Sequence, residues 1–235
     1  MIRDLRRAPH ALRRPPDYSS RMAPPITTVL FDLDGTLIDS IELIRQSFRH
    51  TMMTHRGAPP PEESWFHGLG TPLRTQFKVF SNDPVEIEAM LVTYREHNNA
   101  NHDLLIKDYP GALDAVRALK AKGLKLGIVT SKQSKGAARG LKKGGFDGLF
   151  DVVVGADDVT AHKPDPTPVL HALKQLGMTP DRAIMVGDSP HDITSGRLAG
   201  ARTAAALWGP FSRALLEPAR PDLWLAKPRE IATLA

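Results

Sequence analysis

The 235-residue sequence contains no cysteine. Disulfide bonds, catalysis by a thiolate and cysteine-bound zinc are therefore excluded. It also has no apolar run near the ~18 residues that a membrane-spanning helix needs, so we expect no membrane partner and a cytoplasmic location. The remaining composition, with 41% hydrophobic and 24% charged residues, is that of a globular protein with a sizeable core.

The positive charge is concentrated at the start of the chain. Of the formal net charge of +5, residues 1–25 contribute +4, from six arginines against Asp4 and Asp17. The rest is nearly neutral, so nucleic acid is not the partner we expect for the folded part. The stretch 1–25 predicts a disordered basic tail; a transit peptide, a nucleic-acid-binding arm and a start at Met22 are the open alternatives.

Hydrophobic patterning predicts strands that alternate with helices. Short β-rich runs predict strands at 26–32, 124–129, 151–155, 183–188, 203–207 and 223–226. Helical patterns lie between them, at 112–122, 167–177 and 191–200. This alternation indicates an α/β fold in which a doubly wound parallel sheet is covered by helices on both faces.

A mostly helical segment separates the first strand from the others. Residues 41–52 carry apolar side chains at helical spacing, and Asp83 with Glu86 has the pattern of a helix N-cap with its capping box. The predicted division of the chain is a tail of residues 1–25, an α/β core of residues 26–36 and 110–235, and an inserted helical cap of residues 37–109.

Polar side chains follow the predicted strands at their carboxyl ends, where open α/β sheets bind ligands. Each one alone is typical of a turn, a cap or a solvated side chain, but their recurrence in order predicts one site. Asp32 and Asp34 are two positions apart, so they point the same way in extended backbone and one pKa should rise. The full set is Asp32, Asp34, Thr130, Ser131, Lys163, Asp188 and Asp192.

These residue types suit phosphoryl transfer, which depends on positioning and charge neutralisation. Several carboxylates with few other ligands favour Mg²⁺. A lysine, a hydroxyl and free backbone N–H groups suit a phosphate. An ionised carboxylate can attack phosphorus, and a protonated one can donate to the leaving oxygen and then activate water.

Four segments together resemble the motifs of the haloacid dehalogenase-like hydrolase superfamily: FDLDGTLIDS, IVTSK, HKPDP and VGDSPHDITSG. The resemblance implies a Rossmann-like core. It also implies that Asp32 is the nucleophile, that Asp34 is the general acid and base, and that Lys163 stabilises the charge of the nucleophile and the phosphoryl group. An aspartate at the position of Asp34 favours phosphate chemistry over dehalogenation.

The same resemblance implies the ligand contacts. Mg²⁺ would be held by Asp32, Asp188 and the backbone carbonyl of Asp34, with Asp192 supporting the metal shell. The expected substrate contacts are those of Thr130, Ser131 and Gly35 with the phosphoryl group and of Arg74 with another anionic group. For Arg74, an ordinary surface position on the cap is the equal alternative.

The cap segments GLGTPLRTQF and YREHNNANHD resemble parts of bacterial pyrophosphatases and phosphoglycolate phosphatases. The resemblance implies a small phosphorylated metabolite as substrate, with 2-phosphoglycolate as the first candidate and inorganic pyrophosphate as a close second. A sugar phosphomutase is the further enzymatic alternative. Both a monomer and a homodimer are compatible with the sequence.

Two non-enzymatic classes also fit part of the pattern. A phosphoacceptor receiver places aspartates, a hydroxyl and a lysine at strand ends, but it has no cap insertion, and an acid at Asp34 would defeat storage of the phosphoryl group. A nucleic-acid-binding protein would act through the basic tail. His97 and His102 are five positions apart, which is wrong for two ligands on one helix face, and we expect both at the surface.

Overall fold

The computed structural model describes residues 24–59, 65–66 and 68–235 of the chain. The predicted basic tail lies outside the described residues except for its last two positions. The strands, in chain order, are β1 (Thr28–Phe31), β2 (Ile38–Asp39), β3 (Lys107–Asp108), β4 (Lys125–Val129), β5 (Val152–Val154), β6 (Ala183–Gly187), β7 (Arg202–Ala206) and β8 (Leu223–Leu225).

The helices follow the predicted pattern closely. They are α1 (Ile41–Arg56), α2 (Leu73–Phe77), α3 (Pro84–Leu105), α4 (Ala112–Ala121), α5 (Ser134–Lys143), α6 (Thr167–Leu176), α7 (Pro190–Leu198) and α8 (Arg213–Leu216). Among the residues that the structure describes, no helix combines the length and the apolarity that crossing a membrane would require.

Six strands form one parallel sheet in the order β5–β4–β1–β6–β7–β8. The predicted doubly wound α/β fold is therefore confirmed. Every residue of β1 is buried, because this central strand has neighbours on both edges and helices on both faces. The chain runs outward from β1 first through β4 and β5 and then through β6 to β8, so the strand order reverses beside β1, where such sheets bind ligands.

The segment after β1 is helical, as predicted, and joins the sheet through a short antiparallel pair, β2 with β3. α1 ends at Gly57, whose φ of 71° is a left-handed conformation that glycine adopts without strain. Asp83 caps α3 by accepting a hydrogen bond from the N–H of Val85. The predicted capping-box role of Glu86 is wrong, because its carboxylate contacts Arg56 and the hydroxyl of Ser81 instead.

One hydrophobic cluster links these helices to the sheet. Phe48 of α1 stacks on Phe77 of α2, with ring centroids 5.5 Å apart, and both belong to a buried cluster that also contains Ile193, Ala205 and Phe211. Burial of apolar surface therefore holds the helical segment against the sheet. The division into core and cap at residues 37–109 stays a prediction.

Candidate active site

Three buried carboxylates lie at the reversal of strand order. Asp32 follows β1, Asp188 follows β6, and Asp192 lies in the first turn of α7. One oxygen of each lies within 4.8 Å of an oxygen of the other two. Since β1 and β6 are neighbouring parallel strands, their carboxyl ends bring together residues that are far apart in the sequence.

Lys163 lies within this cluster. Its Nζ donates hydrogen bonds to Oδ1 of Asp32 at 2.8 Å, to Oδ1 of Asp192 at 2.5 Å and to the carbonyl of Val129 at 3.0 Å. An ammonium group has three N–H donors, and all three are used. The lysine is therefore held in one position beside the expected nucleophile.

Asp192 is fixed by a helix cap. Oδ2 of Asp192 accepts hydrogen bonds from the N–H of Ser189 at 3.0 Å and from its hydroxyl at 2.6 Å, while Ser189 accepts from the N–H of Asp192. This reciprocal arrangement is a capping box at the start of α7. Both oxygens of Asp192 thus have protein partners, and its support of a metal shell stays a prediction.

Asp188 is held from the loop that follows β1. The hydroxyl of Thr36 donates to Oδ1 of Asp188 at 2.6 Å. A Cβ on Gly35 would lie 2.6 Å from Oδ2 of Asp188, and the φ of Gly35 is 90°, so only glycine fits there. The N–H of Gly35 donates to the carbonyl of Ile38 at 2.9 Å. The structure thus explains this glycine by backbone geometry, and its contact with substrate stays a prediction.

The carboxylate of Asp34 accepts hydrogen bonds from two side chains. The hydroxyl of Ser40 lies 2.5 Å from Oδ1 of Asp34, and Nζ of Lys132 lies 2.8 Å from the same oxygen. Both donors contact the same oxygen, so Oδ2 of Asp34 is left to give or to accept a proton, and its role as general acid and base stays a prediction. Lys132 was missed by the sequence analysis, although it follows Thr130 and Ser131 within a quoted motif.

Burial dominates the titration of the cluster. The pKa of Asp32 lies at about 7, above its ordinary value of 3.8, with burial as the largest cause. Lys163 opposes this rise, Asp192 adds to it, and Asp34 contributes less than either. The expected rise of one pKa is present, but its chief cause is desolvation and not the neighbouring aspartate. The pKa of Asp188 is also well above its usual value, because of burial and the charges of Asp32 and Asp192.

The pKa of Lys163 moves the other way from what burial alone would cause. Burial lowers this pKa, but Asp192 and Asp32 outweigh it, so the pKa lies above its ordinary value of 10.5 and the side chain stays charged near neutral pH. Three ionised carboxylates against one ammonium leave two negative charges in a buried space. Carboxylate oxygens with an excess of negative charge fit Mg²⁺, which prefers such ligands.

Without Mg²⁺, the wild type should gain stability relative to Asp32→Asn as the pH falls from about 8 to about 5. The lowered pKa values of His97, His102 and His191 oppose this gain in both proteins, so the difference between the two thermal unfolding midpoints isolates the effect of Asp32. The folded-state pKa of Asp32 exceeds its ordinary value of 3.8, so its buried charge opposes folding above pH 7, and protonation removes that opposition. Lys163 stays protonated throughout this window and adds no slope. The gain would be at most about 4 kcal/mol, and circular dichroism melts in EDTA buffers would measure it.

Magnesium chloride should raise the wild-type midpoint most at the alkaline end, where the carboxylates are ionised. The variant Asp188→Asn should lose most of this shift, whereas Asp114→Asn, at an exposed position, should keep it. A wild-type midpoint that does not respond to Mg²⁺, and that falls relative to Asp32→Asn on acidification, would contradict the assignment of these carboxylates.

A cavity of about 690 Å³ opens above the carboxylates, between the helical segment and the sheet. Thr130 lines it and is 6% exposed, and its hydroxyl accepts a hydrogen bond from the N–H of Lys132 at 3.2 Å. Ser131 also lines the cavity, but its hydroxyl donates to the carbonyl of Gly70 at 2.7 Å. Ser131 therefore joins the core to a loop of the helical segment, and its contact with substrate stays a prediction.

Arg74 of α2 and His102 of α3 both line the cavity. Arg74 lines the cavity, half exposed, and is paired with Glu88, so its contact with substrate stays a prediction. The expected surface position of His102 is wrong, because this residue is 1% exposed. It lies on the face of α3 that turns towards the core, and its Nδ1 is 2.7 Å from Oδ1 of Asp103.

Known proteins resemble the chain over most of its length. Residues 29–206 match the family model described as haloacid dehalogenase-like hydrolase. The pyrophosphatase PpaX of Bacillus cereus is 43% identical over 202 residues, which are 86% of this chain and 93% of that protein. A solved hydrolase from Pseudomonas syringae is 25% identical, with a TM-score of 0.81 over 88% of this chain and 96% of that chain.

A second solved structure, a predicted phosphoglycolate phosphatase from Haemophilus somnus, is 23% identical. Its TM-score is 0.78, and the match covers 89% of this chain and 97% of that chain. At this level of identity the likeness shows the fold alone.

Proposed function

Because the chain belongs to the haloacid dehalogenase-like hydrolase family, we propose that it is a Mg²⁺-dependent phosphatase that acts through an aspartyl-phosphate on Asp32. The observation that carries this proposal is the position of Lys163, whose Nζ contacts both Asp32 and Asp192 inside a buried carboxylate cluster. A buried lysine next to a carboxylate neutralises charge where an anionic phosphoryl group would enter.

In the first step, a carboxylate oxygen of Asp32 forms a bond to phosphorus while the bond from phosphorus to the leaving oxygen breaks. The leaving oxygen takes its proton from the carboxyl group of Asp34. Lys163 holds Oδ1 of Asp32 at 2.8 Å, which orients the carboxylate and leaves its other oxygen for the attack. When bound by Asp32 and Asp188, Mg²⁺ would offset the charge of the phosphoryl oxygens.

In the second step, a water molecule attacks phosphorus, gives its proton to Asp34, and the bond from phosphorus to Asp32 breaks, which releases phosphate. The contacts of Asp34 with Ser40 and Lys132 suit this role, because they hold its carboxylate ready to accept a proton. The hydroxyl of Thr130, at the end of β4, is the proposed contact of the transferred phosphoryl group.

Inorganic pyrophosphate is the substrate that the relatives favour. The Bacillus cereus relative named a pyrophosphatase is 43% identical over 93% of its own length, which supports pyrophosphate as the first candidate. The second candidate, 2-phosphoglycolate, rests on the resemblance of the cap segments and has a carboxylate where pyrophosphate has a second phosphoryl group. Both compounds are small enough for a cavity of about 690 Å³.

Phosphate release with Mg²⁺ should give a kcat/KM for pyrophosphate at least about tenfold above that for 2-phosphoglycolate. The inactive variant Asp32→Asn is the control for contaminating phosphatases. A higher kcat/KM for 2-phosphoglycolate would replace the first candidate by the second. Isomerised sugar phosphate without free phosphate would show a phosphomutase and contradict both.

A further inference from the structure

Among the described residues, five lysine and arginine side chains line the cavity, and they differ in their partners. Those whose charge is matched by a carboxylate are Arg74 with Glu88, Lys132 with Asp34 at 2.8 Å, and Arg139 with Asp103 at 2.9 Å. A ligand must compete with the carboxylate that already pairs with such a cation, so an ion-paired cation binds a further anion more weakly. These three are thus poorer candidates for binding a further anion than a cation without a partner.

The other two cations of the cavity are Arg95 on α3 and Lys135 on α5. Within residues 24–59, 65–66 and 68–235, neither has a hydrogen bond or an ion pair. Both side chains are exposed, so both can move to meet a ligand. One lies on the helical segment and the other on the core, so the two approach the cavity from opposite sides.

We propose that Arg95 and Lys135 bind the anionic part of the substrate that departs with the leaving oxygen, and that they select substrates with a second anionic group. This inference rests on the proposed function and extends it to the choice of substrate. In the proposed mechanism, the transferred phosphoryl group lies among Asp32, Lys163 and Thr130, where Lys163 and Mg²⁺ would supply the positive charge. A second anionic group would extend away from them into the cavity, towards the two unpaired cations.

The chemistry of the two side chains divides the task. The guanidinium of Arg95 can donate two parallel hydrogen bonds to a phosphate or a carboxylate, whereas the ammonium of Lys135 acts as a compact charge. Their ligand would contact both the helical segment and the core at once. An anionic leaving group would therefore favour the arrangement in which the cavity is covered, whereas an uncharged one would not.

The test compares two substrates that share the transferred phosphoryl group. Pyrophosphate has an anionic leaving group, and p-nitrophenyl phosphate has an aromatic one without a second phosphoryl or carboxylate group. Arg95→Gln and Lys135→Gln should each raise KM for pyrophosphate about tenfold, with a small change in kcat, and leave both constants for p-nitrophenyl phosphate within about twofold. The double variant should raise KM for pyrophosphate further.

Matched controls are Arg49→Gln, an exposed cation of α1, and Lys142→Gln, an exposed cation of α5, neither of which lines the cavity. Both should leave the two substrates unchanged. Variants of Arg95 and Lys135 that affect both substrates equally, or neither, would overturn the inference, as would an effect confined to Arg74→Gln. If the wild type hydrolyses p-nitrophenyl phosphate but neither pyrophosphate nor 2-phosphoglycolate, the proposed substrates fail instead.

Discussion

Replacement of Asp32 by asparagine is expected to lower the rate of phosphate release by at least about 1,000-fold. An amide oxygen is a poor nucleophile. In the described part of the chain, no other carboxylate at the end of β1 contacts Lys163. The rate would be measured with pyrophosphate and with p-nitrophenyl phosphate, so that the result does not depend on the natural substrate.

The fold should survive this change. Asp32 carries a buried charge whose pKa is raised to about 7, so the neutral amide removes a charge that opposes folding at neutral pH. The unfolding midpoint of Asp32→Asn without Mg²⁺ should equal or exceed that of the wild type. Asp114→Asn, at a side chain that is 87% exposed, is the control for an acidic change far from the cavity.

An Asp32→Asn variant that keeps more than about a tenth of the activity would count against Asp32 as the nucleophile. A second measurement separates a nucleophile from a carboxylate that only holds metal. Acid-quenched wild type should carry phosphate from labelled pyrophosphate on a single aspartate, and Asp32→Asn should carry none. Label on another residue would reject the proposed intermediate.

Replacement of Lys163 by methionine is expected to damage both stability and activity. Lys163 is 3% exposed and contacts Asp32 and Asp192, so its loss leaves two buried carboxylates without their cation. Breaking a buried ion pair by removing one partner costs about 3–5 kcal/mol. The rate of phosphate release should fall by at least about 100-fold, because the nucleophile loses its orienting donor.

A second variant separates the two effects. Lys163→Met with Asp192→Asn removes one of the two carboxylates that Lys163 contacted, so it should recover part of the lost stability in urea unfolding but none of the activity. The stability loss of Lys163→Met should also shrink towards about pH 5, since protonation neutralises Asp32 there. A single variant within about 1 kcal/mol of the wild type would contradict the charge balance assigned to this cluster.

The structure changes the physical account of the two aspartates that follow β1. Their spacing in the sequence suggests mutual repulsion, but β1 ends at Phe31, and Asp34 lies in the following loop with Ser40 and Lys132 as partners. The pKa of Asp32 rises chiefly because of burial and Asp192. A residue distant in the sequence thus has more influence on the nucleophile than its near neighbour.

The sequence by itself determined the parallel α/β architecture and the gathering of Asp32, Lys163 and Asp188. Buried strands have a readable pattern, and parallel strands necessarily end at the same edge of a sheet, so residues placed after them converge without any knowledge of packing. Helix ends such as those at Gly57 and Asp83 were equally predictable from the sequence, because capping is a local interaction.

Only the tertiary structure decided the partners of these residues. The hydrogen bond from Thr36 to Asp188 spans 152 positions, that from Lys132 to Asp34 spans 98, and that from Ser131 to Gly70 spans 61. The burial of His102 likewise depends on which face of α3 meets the core. Such contacts depend on how helices pack against the sheet, and no local pattern in a single sequence encodes that packing.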